Sequence, residues 1–149
     1  MIKKNIILIS LIFFLTNCGF TPIYLKNTDL NFSIEQVNYT GDRDLNNFLK
    51  TNLIKYKKEK SDNKIYIEAN STYKKIILSK DGTGEITSYQ LEAEVIFSIM
   101  PLNKKIQIKE TKIMESKNDK FEEARYERSV KQNFASSISN KLSTELIVN

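Results

Sequence analysis

Residues Ser88–Ile99, with the sequence SYQLEAEVIFSI, carry the clearest structural signal in the chain. Every odd-numbered position of this stretch holds an apolar or aromatic residue, whereas all even-numbered positions except Ile96 are polar. An alternation with a period of two over this length is typical of a central antiparallel strand with one face on a core and the other in water. The stretch therefore predicts a sheet that is covered on one side.

Turn signals on both sides of this stretch predict neighbouring strands. The segment Lys80–Gly84 contains two glycines, which accept the positive φ angles that hairpin turns need, and an alternating segment that begins at Ile65 precedes it. The alternation changes phase near Ile76, so this strand is predicted to be long and bent. On the other side, Pro101–Lys104 turns the chain into Ile106–Ile113, whose many lysines suit an exposed edge strand.

A further strand is predicted at the start of the domain. Leu30, Phe32 and Ile34 alternate with polar residues, and the apolar residues Val37 and Tyr39 then follow out of phase. One extra residue in a strand produces such a shift, so a β-bulge is expected between Ile34 and Val37.

Two amphipathic helices complete the predicted fold. Thr40–Asp42 is a turn and N-cap signal before a helical stripe over Arg43–Lys58, and the polar segment Lys57–Asn63 is predicted to be a loop. After Ser116–Lys120, the chain up to Val148 contains no glycine or proline, and apolar residues recur at every fourth position from Val130 to Leu146, which predicts a long amphipathic helix. The order β-α-β-β-β-α predicts an α+β fold, with an antiparallel four-stranded sheet and two helices packed on one face.

The N-terminal segment has the pattern of a secretory signal peptide. Met1–Lys4 is positively charged, and Ile6–Leu15 is apolar apart from Ser10. About ten residues at roughly 1.5 Å each span only about half of a hydrocarbon core that is about 30 Å thick. An export signal over residues 1–17 is therefore predicted, and a permanent transmembrane helix is disfavoured.

The residues that follow resemble the lipobox of bacterial lipoproteins. Leu15-Thr16-Asn17-Cys18-Gly19 has the expected order, although Asn17 stands where glycine, alanine or serine is usual. The resemblance implies that Cys18 carries a diacylglycerol and an acyl chain such as palmitate and becomes the mature N-terminus. It also implies a lipidated tether over 18–29, a domain over 30–149 and, because Gly19 is not aspartate, an outer-membrane location on the periplasmic side.

Composition excludes several function classes. With one cysteine and no histidine or tryptophan, the chain has no disulfide framework and no common zinc pattern. Removal of Lys3 and Lys4 with the leader lowers the net charge from +5 to +3, and only three arginines are present, which argues against a nucleic-acid partner. The acid pairs Glu92/Glu94 and Glu122/Glu123 lack a nearby nucleophile or histidine. We therefore expect no enzyme, no metal and no cofactor beyond the lipid on Cys18.

The run Cys18–Tyr24, CGFTPIY, together with the element order, resembles the LPS-assembly lipoprotein family, LptE. Members of that family show a similar start in which leucine is commoner at the position of Ile23. The resemblance implies a lipoprotein that sits inside the outer-membrane β-barrel LptD, helps this barrel to assemble and assists the insertion of lipopolysaccharide (LPS) into the outer leaflet. A different membrane-anchored role, an accessory subunit of an envelope lipid or solute transporter, remains open.

Lysine clusters mark candidate contacts with the phosphates of LPS. Lys74, Lys75 and Lys80 flank the tip of the predicted hairpin, and Lys104 and Lys105 lie after the next turn. Lysine is abundant throughout the chain, so a solvated loop at each of these places is the more ordinary interpretation. Some tyrosines on the outer face of the sheet are alternative candidates for contact with a barrel wall.

Overall fold

The computed structural model describes residues 32–57 and 63–147. The leader, Cys18 and the predicted tether lie outside this part of the chain. The described elements are β1 Ser33–Gly41, α1 Arg43–Leu53, a short 3-10 helix Ile54–Tyr56, β2 Lys64–Lys80, β3 Ile86–Met100, β4 Lys104–Glu115 and α2 Lys120–Ile147. The predicted α+β class and the order β-α-β-β-β-α are confirmed.

The four strands form one sheet in the order β1-β2-β3-β4. The pairs β2/β3 and β3/β4 are antiparallel, as predicted, but β1 and β2 are parallel. The prediction of a wholly antiparallel sheet was therefore wrong for this one pair. Helix α1 connects the two strands and carries the chain back to the end where β1 began, so β2 re-enters the sheet in the same direction.

The register shift between Ile34 and Gln36, near the start of β1, confirms the predicted bulge. The end of β1 shows why the connection to α1 is sharp. Gly41 has φ +96°, and a Cβ atom at this position would lie 1.8 Å from the carbonyl oxygen of Ser71. Glycine therefore permits the close approach of β1 to β2, and Asp42 then caps α1 by accepting a 2.8 Å hydrogen bond from the Leu45 N–H.

The core lies between one face of the sheet and the two helices. The odd-numbered residues of β3 from Leu91 to Ile99 are buried, and both helices turn their apolar stripes towards them. The helix residues in this core are Leu45, Leu49, Leu53, Val130, Phe134, Ala135, Ile138 and Leu142. A sheet with one apolar face needs this cover, because burial of apolar area is the main favourable contribution to folding.

The two helix ends differ in how well the sequence predicted them. Helix α1 was expected to continue to Lys58, but it ends at Leu53 and tightens into the 3-10 turn. Ile54 is 67% exposed, so further α-helical turns would gain little apolar burial. Helix α2 starts as predicted, where the Asp119 carboxylate accepts a 2.8 Å hydrogen bond from the Phe121 N–H.

Candidate functional site

The sheet divides into two parts along β2. Strand β1 ends at Gly41, which pairs with Ser71, so β2 beyond this point pairs only with β3 among the described residues. We call the segment Thr72–Lys80 of β2 the hairpin arm. The turn at its end is held by Asp81, whose Oδ1 accepts hydrogen bonds from the Thr83 and Glu85 N–H groups at 2.9 Å each. This tip does not lead into a helix, so it lacks the geometry of a phosphate-binding P-loop.

A carboxylate cluster attaches the arm to the start of α2. Glu123 is 5% exposed, and its carboxylate lies 2.9 Å from Nζ of Lys75 and accepts a 2.9 Å hydrogen bond from the Lys117 N–H. Lys120 contributes a longer contact of 3.3 Å. The Lys117 backbone N–H, followed by the ammonium of Lys75, lowers the pKa of Glu123 to about 2. This side chain is therefore an ionised anchor at neutral pH.

Glu127 extends the cluster by one helical turn. Its carboxylate accepts hydrogen bonds from Nζ of Lys75 at 3.0 Å and from the Tyr73 hydroxyl at 2.9 Å. Burial, and then the hydrogen bond to Glu127, raise the pKa of Tyr73. Burial acts to lower the pKa of Lys75, but the two carboxylates outweigh it and raise that pKa. Sequence reasoning considered Glu122 and Glu123 only as an acid pair without a catalytic partner and missed this cluster.

The five lysines proposed as LPS contacts do not form one site. Lys74 and Lys80 are exposed on the arm, whereas Lys75 belongs to the carboxylate cluster and lies 4.2 Å from the centroid of the Tyr89 ring. Lys104 and Lys105 lie at the opposite end of the sheet. The row that contains Lys105 is six β2 residues away from Lys74, which corresponds to roughly 20 Å.

The lysines at this opposite end have different surroundings. Lys104 donates a 2.9 Å hydrogen bond to the carbonyl oxygen of Glu145 and lies 3.7 Å from its carboxylate. Lys105 lies on the outer face of the sheet and borders a shallow depression of about 400 Å³ with Glu68 and Ser98. Of the five candidates, Lys74, Lys80 and Lys105 form no ion pair within 4 Å with another described residue, but Lys74 faces Glu92 in the β2/β3 register and interacts with its charge.

The outer face of the sheet is mainly polar and carries a ladder of cross-strand pairs. Lys109 lies 2.5 Å from the Glu92 carboxylate, and Gln107 donates a hydrogen bond to Glu94. The tyrosine on this face is Tyr66, which is paired in register with Met100; each is about half exposed. Glu92 and Glu94 are thus engaged by neighbouring strands, as expected for the wet face.

Two groups of exposed apolar residues lie at the arm and at the start of α2. Ile76, Ile77 and Leu78 are consecutive in β2 and are 42%, 50% and 49% exposed. Phe121 is 75% exposed and, with Arg125 and Arg128, lines an open groove of about 490 Å³. The sequence analysis noted the change of phase near Ile76 but took it only as a sign of a bent strand, and it did not single out Phe121.

Within residues 32–57 and 63–147, no group of acidic side chains is arranged to hold a metal ion. No helix in the same part of the chain is both long and apolar enough to cross a membrane. Cys18, the predicted lipidation site, precedes these residues.

The comparison with known proteins finds similar folds. No family model matches the chain, and no curated protein sequence matches it. Rare lipoprotein B of Shewanella oneidensis is 14% identical with a TM-score of 0.54, over 74% of this chain and 95% of that one. The minor lipoprotein of Acinetobacter baumannii (16%, 0.51) matches over 74% and 93% of the two chains, and a lipoprotein of Caulobacter crescentus (9%, 0.51) over 75% and 88%. The chain therefore has a fold that solved bacterial lipoproteins share.

Proposed function

We propose that the chain is an outer-membrane lipoprotein, anchored through Cys18, that plugs and helps to assemble the LPS-translocating β-barrel LptD. In this role it assists the insertion of LPS into the outer leaflet from the periplasmic side. The role involves binding and no catalysis.

Two observations that agree with each other support the proposal. The start Cys18–Tyr24 resembles that of the LPS-assembly lipoproteins, and the domain that follows has the fold of solved bacterial lipoproteins. These observations are independent, since the first rests on residues outside the described domain and the second on the domain alone. Together they favour a membrane-anchored binding protein over a periplasmic enzyme.

A pull-down from detergent-solubilised membranes tests the barrel partner. The tagged chain is expected to co-purify with an outer-membrane β-barrel, and Cys18→Ser, which cannot be acylated, is expected to reduce the yield of this complex. Recovery of inner-membrane transporter subunits instead of a barrel would support the alternative role as a transporter accessory and would overturn the proposal.

Contact with LPS can be tested separately through the unpaired cations. The double variant Lys74→Gln/Lys80→Gln and the single variant Lys105→Gln remove charges at opposite ends of the sheet. A direct phosphate contact predicts weaker LPS binding and a shallower dependence of affinity on salt concentration, because exposed charges are screened by salt. Lys104→Gln is the control for a nonspecific loss of charge, because Lys104 already pairs with Glu145.

A further inference from the structure

Along the hairpin arm, strand β2 has a backbone edge that no other described strand pairs with. The Ser71 carbonyl faces the β1 side, because it accepts a 3.1 Å hydrogen bond from the Asp42 N–H. In a strand, the N–H and C=O groups of one residue point to the same side, and this side alternates along the chain. The backbone groups of Tyr73, Lys75 and Ile77 therefore also face the β1 side, where no described strand pairs with them.

The side chains along this edge form an apolar run between lysines. Proteins generally protect open edges with charges, prolines or bulges, since such edges pair readily with other chains. Lys74, Lys75 and Lys80 supply such charges at the two flanks, but Ile76, Ile77 and Leu78 between them are exposed, and the register of β2 is regular up to Ile77. The regular part of the edge therefore combines free backbone groups with apolar side chains on both faces.

We propose that this edge is a strand-addition site that takes an extended segment of another protein, apolar at its centre and with a carboxylate at each end. The segment would extend the sheet where β1 stops and would form backbone hydrogen bonds with Lys75 and Ile77. The inference goes beyond the proposed function and does not depend on the identity of a barrel partner.

Charge complementarity defines this occupant. The segment Thr72–Lys80 contains three lysines and no acidic residue, and Lys74 and Lys80 are the two whose ammonium groups the carboxylate cluster does not engage. Opposite charges in directly facing strand positions stabilise a pair, and like charges destabilise it. Carboxylates six positions apart in the added strand therefore match the flanks of the apolar run.

Two other occupants of this edge, a second copy of the chain and a lipid bilayer, are less favourable. In a two-fold pairing of a second copy centred on Ile77, Lys74 of each chain would face Lys80 of the other, which places like charges opposite each other twice. Insertion of the arm into a lipid bilayer would place the unpaired backbone groups in hydrocarbon, where no water can form hydrogen bonds with them. An acidic, extended protein segment can form hydrogen bonds with the free backbone groups and ion pairs with the lysines.

The test measures hydrogen exchange of the full chain, purified from membranes in detergent, with a synthetic probe. The probe is the capped nonapeptide TETVTVTET, and TKTVTVTKT is its charge-reversed control. Binding of the first peptide is expected to slow exchange of the Lys75 and Ile77 amides by about tenfold, because hydrogen-bonded amides exchange only on opening. The control peptide is expected to have no effect.

A matched pair of variants separates backbone pairing from other contacts. Ile77→Pro removes the edge N–H without removing a donor from the β2/β3 ladder, because this N–H faces the open side. Ile77→Ala keeps the N–H. Peptide binding is expected to be lost in Ile77→Pro and retained, although weaker, in Ile77→Ala.

Charge reversal provides a second measurement that does not rely on proline. In Lys74→Glu/Lys80→Glu, the preference between the two peptides should invert. The inference is overturned if neither peptide slows exchange at millimolar concentration, or if the peptide binds Ile77→Pro and wild type alike. It is equally overturned if the same amides become protected by self-association of the chain or by anionic phospholipid vesicles alone.

Discussion

Two parts of the same strands have opposite environments. Where α1 and α2 cover the sheet, Ile67 and Phe97 are at most 1% exposed, whereas Ile76 and Ile77 on the hairpin arm are 42% and 50% exposed. Both parts are built from apolar and β-branched residues in extended backbone. Apolar periodicity therefore specifies one face of a strand, whereas the burial of this face depends on which distant elements reach it.

The means of attachment differ accordingly. The covered part is held by apolar contacts of both helices, and the arm is attached to α2 by the cluster around Glu123. Charged hydrogen bonds are directional, so they position the arm without covering its apolar residues. The arm therefore keeps an accessible apolar surface on an otherwise well-packed domain. Substitutions in the covered part and in the arm should differ accordingly in their effect on stability.

The largest expected effect is in the covered part. Phe97→Ala should lower the free energy of unfolding by about 4 kcal/mol, because it removes buried apolar atoms and leaves a cavity. Ile77→Ala on the arm should lower it by less than about 0.5 kcal/mol, as at other exposed positions. Urea denaturation of both variants measures the difference, and similar losses would contradict the division into a covered part and an exposed arm.

The boundary between the two parts should be nearly as sensitive. Gly41→Ala is expected to cost about 3 kcal/mol or more, because the new Cβ meets the Ser71 carbonyl and the φ of +96° is strained for alanine. Gly84→Ala has a similar φ of +89° but meets no atom within 4 Å, so it should cost only about 1 kcal/mol. Thermal unfolding of the two variants measures how much the contact with the Ser71 carbonyl adds to the cost of a Cβ atom at Gly41. Equal decreases in Tm would show that this contact adds nothing.

The carboxylate cluster should have an intermediate effect. Glu123→Gln is expected to cost about 2 kcal/mol, since it weakens several hydrogen bonds to a buried carboxylate. Glu122→Gln, at an exposed neighbouring position, is the control and should be close to neutral. If the cluster attaches the arm, Glu123→Gln should also speed hydrogen exchange in Thr72–Lys80 more than in the covered part of β2.

The pKa of Glu123 predicts the direction of its pH dependence. Its folded-state pKa of about 2 lies below the ordinary value of 4.5, so folding favours the ionised form. The stabilisation is complete above pH 4.5 and is lost as the pH falls from there towards 2. The difference in unfolding free energy between wild type and Glu123→Gln should therefore narrow over this range, and a constant difference would argue against an ionised Glu123.

The smallest effect is expected on the outer face. Lys109→Ala removes the ion pair with Glu92 and should leave the unfolding free energy nearly unchanged, because Lys109 is exposed. The same measurement at low and high salt should show that this small contribution is screened. A loss comparable to that of Glu123→Gln would mean that the outer ladder is as important as the buried cluster.

The sequence predicted the elements well and their long-range neighbours less well. Ser88–Ile99 identified the central strand, and the Asp42 cap, the bulge after Ile34 and the stripe of α2 were all predicted from local spacing. These features depend on residues close together in the chain, so a single sequence contains the necessary information. The lipid anchor at Cys18 was inferred from the resemblance of Leu15–Gly19 to a lipobox and stays a prediction.

Tertiary structure alone decided the features that involve distant residues. It made the β1/β2 pair parallel, brought Lys75 to Glu123 across 48 positions of the chain, and separated the lysines of the arm from Lys104 and Lys105. It also ended β1 at Gly41 and so left the edge of the arm unpaired. Local periodicity determines which side of an element is apolar, but only the packing of whole elements determines which of those sides, charges and backbone edges meet a partner.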